Sequence, residues 1–405
     1  MPLIFKKLYH RLEAYLAMLY FRFPYKSIKV IGVTGTDGKT TTAHLIHHIL
    51  ISAGVKTSMI STIHASIGGI EYPTGFHVTT PRAWNVYKYL RAAADAGSTH
   101  FVMETTSHGI EQDRVRGIRF TVGVITNVTH EHLFHHGTFD RYVWLKTQLL
   151  AWSEQALLNK EMAVYDKIAR LLTSYGKHWK TYAVKDKADY MWQTDMKTQL
   201  PGAYNKENCM AAYSVTRELG IPHEAIVAAI ATYSLPKGRY DIIQEKPFTV
   251  IIDFAHTPHS IDMVLKATKE GYPKAKKVIH VFGAASQRDD EKRPLMGKAS
   301  GSWATTVILT EEDYRNESFE GICEMIGRGL QEKGFVYIPE EKFEGKKQTY
   351  TMIKNRKDAL EKALKLASKD DVVIATGKGH ESSLNRDGVE HEWDEQAVIK
   401  KLIKG

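Results

Sequence analysis

Gly32-Val-Thr-Gly-Thr-Asp-Gly-Lys-Thr-Thr-Thr42 is the stretch that decides the fold. A β-branched run, residues 29–33, leads into it, and a helical pattern over residues 40–53 follows. Strand, glycine turn and helix in that order open an α/β nucleotide-binding domain. A loop that holds a triphosphate needs inward-pointing backbone N–H groups, and the next helix adds the positive end of its dipole. Gly35 and Gly38 shape the turn, with Thr36, Asp37 and Thr41 completing the cradle. Lys39 then stands where a lysine neutralises the β/γ-phosphates, and Thr40 where a hydroxyl reaches Mg²⁺. The general phosphate-loop spacing asks for glycine at position 33, and Val33 occupies it. A glycine turn before a helix by coincidence is the plain alternative, outweighed by the order of all the parts.

Further short apolar runs follow at residues 100–103 and 122–126, with a helical stretch at 84–96 between them. Such alternation predicts a mostly parallel sheet. A second α/β unit begins near Gly238, with strands expected at 248–253, 277–282, 306–310 and 371–376, and helices at 261–269 and 357–368. Pro236 and Gly238 punctuate the chain at the boundary. The expected organisation is an N-terminal helical segment (1–28), a central ATP-binding domain of the phosphate-loop type (29–237) and a smaller Rossmann-like α/β domain (238–405).

The 405 residues suffice for two or three domains, and 43% hydrophobic and 25% charged content is that of a folded globular chain. Two cysteines, Cys209 and Cys323, form no disulfide framework and fit a reducing cytoplasm. The net charge of +9 attracts anions of any kind, so its sign alone selects no partner. Nucleic-acid binding is not expected, because no interleaved aromatic–basic stretch accompanies the charge. No run approaches a transmembrane helix. Residues 1–25 read as a helix rich in Leu, Tyr and Phe, with Lys6, Lys7, Arg11 and Arg22 interspersed. They lack signal-peptide logic, since Glu13 interrupts the apolar run. Two readings stand: a helix packed on the next domain, or an interfacial helix touching anionic lipid.

The loop at 32–42 resembles that of the Mur ligase superfamily, Gly-x-Thr-Gly-Thr-x-Gly-Lys-Ser/Thr, which accounts for Val33. Within the superfamily the chain looks most like the UDP-N-acetylmuramyl-tripeptide synthetase branch, which adds the third amino acid to the peptidoglycan stem peptide. The resemblance recurs in order from about Lys29 to the C-terminus. Met103-Glu-Thr-Thr-Ser-His108 resembles a segment whose glutamate holds Mg²⁺, which implies that role for Glu104. Thr126-Asn-Val-Thr-His-Glu-His132 implies that His132 is a ligand of a second metal. His130, His135 and His136 crowd the same stretch, but no cysteine partner or helical His-x₃-His pair favours zinc. Lys146 falls at the family's carbamylated lysine; an ordinary surface lysine is the other reading. Gly202-Ala-Tyr-Asn-Lys-Glu-Asn208 implies that Asn208 faces adenine, and Asn205 does the same or caps a helix. Lys237-Gly-Arg-Tyr240 places Arg239 where a guanidinium holds the γ-phosphate when the second domain closes. Asp253-Phe-Ala-His-Thr-Pro258 implies nucleotide contacts for Asp253 and His256 at a strand end.

For the acceptor, Thr79-Thr80-Pro81 resembles the segment that contacts the muramyl-peptide, with Thr106, Gln112 and Arg114 at further positions of that kind. Gly377-Lys-Gly-His-Glu381 implies that Glu381 accepts from the incoming amino acid's ammonium. Thr310-Glu-Glu-Asp-Tyr-Arg315 stands where diaminopimelate-adding members carry Asp-Asn-Pro-Arg. Arg315 is kept and suits a distal carboxylate, whereas Asp313 beside it would also suit a cationic side chain such as lysine. About 28 residues precede the first strand, so the family's N-terminal uridine-binding domain is expected to be missing, which leaves the acceptor's carrier open. The resemblance implies an ATP-dependent, two-Mg²⁺ carboxylate–amine ligase acting through an acyl-phosphate, monomeric and cytoplasmic. A folylpolyglutamate-synthase-like glutamyl ligase and a non-catalytic nucleotide-binding subunit are the alternatives.

Overall fold

The computed structural model describes residues 3–72, 79–129, 137–286 and 289–404. It divides into two compact units, one of Met1–Leu200 with Tyr204–Ser234 and one of Pro201–Ala203 with Leu235–Gly405.

The first unit holds β1 (Lys29–Thr34), β2 (Thr57–Ile60), β3 (Ala65–Ile67), β4 (Ile70–Tyr72), β5 (His100–Glu104), β6 (Phe120–Ile125), β7 (Ser153–Asn159), β8 (Lys180–Ala183) and β9 (Tyr190–Met191). Among the described residues they form one sheet in the order β4-β3-β2-β5-β1-β6-β7-β8-β9. From β2 to β9 every pairing is parallel, and only β3 and β4 run antiparallel. The central strands read as continuous apolar runs because both faces are covered; β1 is buried from its second residue onward. Its helices are α1 (Leu3–Tyr20), α2 (Lys39–Ser52), α3 (Ala83–Asp95), α4 (Ser107–Glu111), α5 (Phe139–Trp152), α6 (Tyr165–Ser174), α7 (Ala203–Glu218) and α8 (His223–Thr232). One core cluster joins Ala17 of α1, Val86 and Leu90 of α3, Phe101, Phe120 and Leu149. Another joins Ile125, Tyr142, Leu150, Leu158, Ile168 and Leu172. The N-terminal helix therefore packs on the first unit through Ala14, Ala17 and Met18, as the packed-helix reading expects.

The second unit holds β10 (Asp241–Gln244), β11 (Thr249–Ile252), β12 (Val278–Phe282), β13 (Thr306–Leu309), β14 (Val336–Tyr337), β15 (Thr349–Met352) and β16 (Val372–Ala375), in the order β10-β11-β16-β12-β13-β15-β14. Only β10 is antiparallel. A separate hairpin pairs β17 (Ser383–Arg386) with β18 (Val389–Glu392). The core joins Val250, Ile279, Val281, Ile308, Leu360, Val373 and Ile399. Both units are thus α/β with largely parallel sheets, which place loops at strand carboxyl ends, where such folds bind ligands.

Candidate active site

In the first unit, β1 ends at Thr34 and α2 begins at Lys39, so residues 35–38 make the whole turn. The turn is pinned from below. Thr36 N donates to Asn127 O at 2.8 Å, and Asp37 N to the Asn127 side-chain oxygen at 2.9 Å. The Thr126 hydroxyl donates to Asp37 O at 2.6 Å. The Thr36 hydroxyl meets Tyr142 OH at 3.1 Å and accepts from Thr129 N at 3.0 Å. Backbone fixed in this way needs no rearrangement when an anion arrives. Lys39 Nζ donates to Thr36 O at 2.7 Å, which folds the side chain back over the turn. Thr41 and Thr42 are buried behind it.

Gly38 caps the N-terminus of α2 with φ +79°. A Cβ there would lie 2.2 Å from Asn208 Oδ1. Asn208 is itself buried, donates to Asn205 Oδ1 at 3.0 Å and accepts from the Thr42 hydroxyl at 3.4 Å. The two asparagines on α7 thus form a buried amide pair directly behind the phosphate loop. We expect Gly38→Ala to lower stability by about 1–3 kcal/mol through the left-handed φ and the clash. Adding Asn208→Ala should recover the clash component only. Thermal midpoints of the two variants, with ADP affinity measured alongside, check this.

Glu104 ends β5 beside β1 and is buried. Its carboxylate accepts from the Thr40 hydroxyl at 3.0 and 3.1 Å, and from Thr62 N and the Thr62 hydroxyl, each at 2.9 Å. A hydroxyl and a carboxylate oxygen side by side at the phosphate loop are the hard oxygen donors that Mg²⁺ takes, usually with waters and phosphate completing the shell. The donor set therefore fits one Mg²⁺. Lys146, on α5, is buried; its Nζ donates to Gly35 O at 2.5 Å and lies 4.5 Å from the Tyr142 ring centroid. It is not the surface lysine that its helical position alone would suggest. His132, with His130, His135 and His136, lies outside the described residues.

The residues read as acceptor contacts gather beside Glu104. The Thr62 hydroxyl lies 3.0 Å from the Thr79 hydroxyl. Thr80 donates to Glu104 O at 3.1 Å and accepts from Thr106 N at 2.9 Å. Arg114 donates to Thr80 O at 2.5 Å and to Gln112 Oε1 at 2.7 and 3.1 Å. Metal-type and acceptor-type residues therefore form one continuous wall. Thr62, Asn127 and Tyr142 complete it, and sequence reasoning assigned them no role. Asn127 stood inside a quoted motif, while Thr62 and Tyr142 carry no local signal.

In the second unit the turn 237–240, the strand end 253–258 and the loop 377–381 converge. A Cβ on Gly238, φ +72°, would lie 2.2 Å from His380 N, so only glycine permits this approach. The Arg239 guanidinium lies 4.5 Å from the Phe254 ring, which also neighbours the His256 and His380 rings at 4.6 and 4.8 Å. Burial, then Arg239, pushes His380 down to about 3, so it is neutral at physiological pH. Asp253 accepts from Tyr240 N and Ala255 N, each at 2.7 Å, and burial raises its pKa. Both its oxygens are thus engaged in fixing the turn. His256 Nδ1 lies 2.9 Å from Phe254 O, and Lys292 donates to His256 O at 3.1 Å.

Lys378 is fully buried and bridges Asp313 at 2.9 Å and Glu381 at 2.6 Å. Burial opposes its charge, but Glu381 and Asp313 outweigh that and raise its pKa. Asp313 also accepts from Asn385 N at 2.9 Å. Arg315 takes a left-handed φ of 47° and donates to Ser286 O at 2.9 Å. Beneath this loop, buried Arg356 pairs with Glu395 at 2.6 and 2.8 Å and donates to Thr376 O, just before Gly377. Arg386 holds Glu311 at 2.5 and 2.9 Å.

Glu312 is the exception in this charged network. Among the described residues nothing hydrogen-bonds its Oε2, and burial, then Asp313, pushes its carboxyl up to about 7. A folded pKa above the unfolded value stabilises the fold below about pH 4.5, and that contribution is lost as pH rises to about 7. Glu312→Gln should therefore be more stable than the parent at about pH 8, by roughly 1–3 kcal/mol, and close to it at about pH 5. Urea midpoints at both values check the slope.

Comparison with known proteins places these features in one family. Residues 33–216 match the Mur ligase middle domain, and residues 238–379 the Mur ligase, glutamate ligase domain. A UDP-N-acetylmuramoyl-L-alanyl-D-glutamate--2,6-diaminopimelate ligase of Aquifex aeolicus is 32% identical over 402 residues, which cover 95% of this chain and 80% of the relative. A solved structure of a ligase of the same name, 26% identical, covers 97% of this chain and 83% of that one, with a TM-score of 0.62. Mycobacterium tuberculosis folylpolyglutamate synthase, 15% identical with a TM-score of 0.70 over 90% of this chain, shares the fold. With matches spanning both units, the chain belongs to the Mur ligase family.

Proposed function

We propose that this ligase joins diaminopimelate to the free carboxylate of a muramyl-dipeptide-like acceptor, forming ADP and phosphate. The observation that carries the reading is the Thr40–Glu104 pair, set between the phosphate loop and the Thr79–Thr80–Arg114 wall. A nucleotide's terminal phosphate and an acceptor carboxylate can be brought together there. The loop of Gly35, Thr36, Asp37, Gly38 and Thr41 would cradle the phosphates, and Lys39 and Arg239 would neutralise them. Asn205, Asn208, Asp253 and His256 complete the nucleotide set in this reading. Bound Mg²⁺ would offset the charge that builds up on phosphate oxygens. Thr40 and Glu104 would hold one ion, and His132 with a carbamylated Lys146 a second.

The acceptor, held by Thr79, Thr80, Thr106, Gln112 and Arg114, attacks the γ-phosphorus through a carboxylate oxygen, and ADP leaves. The amino nitrogen of the second substrate then attacks the acyl carbon. It gives up a proton, and inorganic phosphate departs as the amide forms. Neither step needs a protein nucleophile; the chain positions reactants and neutralises charge. Arg315, Gly377 and Glu381 would hold the amino acid. Relatives named for diaminopimelate favour that substrate. The reading takes the chain as a monomer in the cytoplasm, where ATP is supplied.

Incubation with ATP, a panel of amino acids, and UDP-linked or truncated muramyl-dipeptides tests this. The expected product has the mass of acceptor plus diaminopimelate less one water. A lysine adduct would replace the amino-acid assignment. Glutamyl extension of a pteroate acceptor would replace the reading with the folylpolyglutamate one.

A further inference from the structure

α1 packs one side on the fold, and Tyr9 and Tyr15, at the margins of the other, accept from Arg82 and Arg116 at 2.7 and 3.3 Å. Ala14 and Ala17 are buried against the first unit, and Met18 packs beside them. The opposite side carries Phe5, Leu8, Tyr9, Leu12, Tyr15, Leu16, Leu19 and Tyr20, all exposed; Leu8, Leu12, Leu16 and Leu19 are 61, 55, 52 and 58% exposed. At roughly 100° per residue these eight positions span about 140° of arc with no charged residue among them. Such a face is wider than the seam of a two-stranded coiled coil. Exposed Trp84 of α3 extends it, with its ring 5.0 Å from that of Tyr20. No helix among the described residues is long and apolar enough to cross a membrane.

The unpaired charges that follow this face in the chain have one sign: Arg22, Lys26 and Lys29, just beyond the end of α1, are exposed. The nearby acids are already paired, Glu13 with Arg82 at 3.3 Å, and Asp113 with Arg11 at 3.2 Å and Arg116 at 3.1 Å. A broad apolar stripe containing tyrosines and a tryptophan, with exposed basic residues at one end and its nearby acids paired, has the chemistry of an amphipathic helix lying in a bilayer's headgroup region. We propose that α1 docks the enzyme on an anionic lipid surface, with Leu8, Leu12, Leu16 and Leu19 entering the acyl boundary and Arg22 and Lys26, at its C-terminal end, facing the headgroups. A second copy of the chain is the other occupant such a face could take, and charge complementarity favours lipid because the nearby acids Glu13 and Asp113 are already paired within the chain and a second copy offers the exposed cations no free acidic counterpart here.

The test is flotation of the full chain with vesicles of equimolar phosphatidylcholine and phosphatidylglycerol, beside vesicles of phosphatidylcholine alone. The protein should float with the anionic vesicles and largely remain below with the neutral ones, and added salt should release it. Leu8→Glu/Leu12→Glu/Leu16→Glu should lower the partition coefficient on the order of a hundredfold. Arg22→Glu/Lys26→Glu leaves the apolar face intact and should lower it about fivefold for each unit of charge changed. Both variants should keep the parent's vesicle-free turnover, since every altered side chain is exposed and none is among the nucleotide or acceptor contacts. Absence of flotation overturns the proposal. A dimer in sedimentation that the leucine variant dissolves would then assign the face to a second copy.

Discussion

Replacing Lys39 by alanine lowers turnover on the order of a thousandfold, ~4 kcal/mol of lost transition-state stabilisation. Its ammonium is the cation carried by the phosphate loop itself, and its present hydrogen bond to Thr36 O holds it over the turn rather than in the core. The loss should therefore fall on kcat more than on stability, where one such bond contributes about 1 kcal/mol. Lys39→Arg should not restore the rate, because a planar fork does not replace a compact point charge inside a tight glycine turn. Steady-state ADP release with saturating acceptor and amino acid measures it. Parent-like turnover in Lys39→Ala would remove the loop from catalysis and favour a nucleotide-binding subunit instead.

Lys146→Ala carries the second large effect, a fall of at least about a hundredfold in kcat. A buried lysine beside Gly35 O can serve in two ways. As an amine it donates to that carbonyl and helps hold the loop. As a carbamate, formed when the amine takes up CO₂ and loses a proton, it offers anionic oxygens to a cation. The two roles separate experimentally. With the carbamate, activity falls when bicarbonate is stripped and returns when it is added. Isotopically labelled bicarbonate gives a carbonyl resonance that Lys146→Met lacks, and short carboxylic acids partly rescue Lys146→Ala. Activity indifferent to bicarbonate, with no such resonance, leaves the amine role alone.

The fold and much of the site were legible because they depend on local chemistry. The turn from Gly35 to Gly38 needs glycine, Lys and Thr at fixed offsets from a strand, and β1 and α2 fall within a residue of the expected bounds. Strands buried on both faces, such as β12 and β16, announce themselves as apolar runs. Half-exposed or edge strands do not: β4, β14 and β18 alternate poorly or carry charge, and none was expected. The supports of the site were hidden for a different reason. Thr62 reaches Glu104 across 42 positions of sequence, and Tyr142 reaches Thr36 across 106. Nothing at either position marks it until the parallel sheet brings the strand ends together. Asp313 shows the opposite limit. Beside Arg315 it reads as a selector for a cationic substrate, and nothing local shows that Lys378, 65 positions away, bridges it to Glu381.

Carboxylate activation is the central claim, and isotope transfer tests it most directly. The acceptor is supplied with heavy oxygen in its reactive carboxylate, and the phosphate released in a full turnover is examined by mass. An acyl-phosphate path moves one labelled oxygen from the carboxylate to each phosphate as the amide forms. Unlabelled phosphate, with ADP released whether or not acceptor and amino acid are present, would contradict the account and leave the phosphate loop serving a simple nucleotide hydrolase.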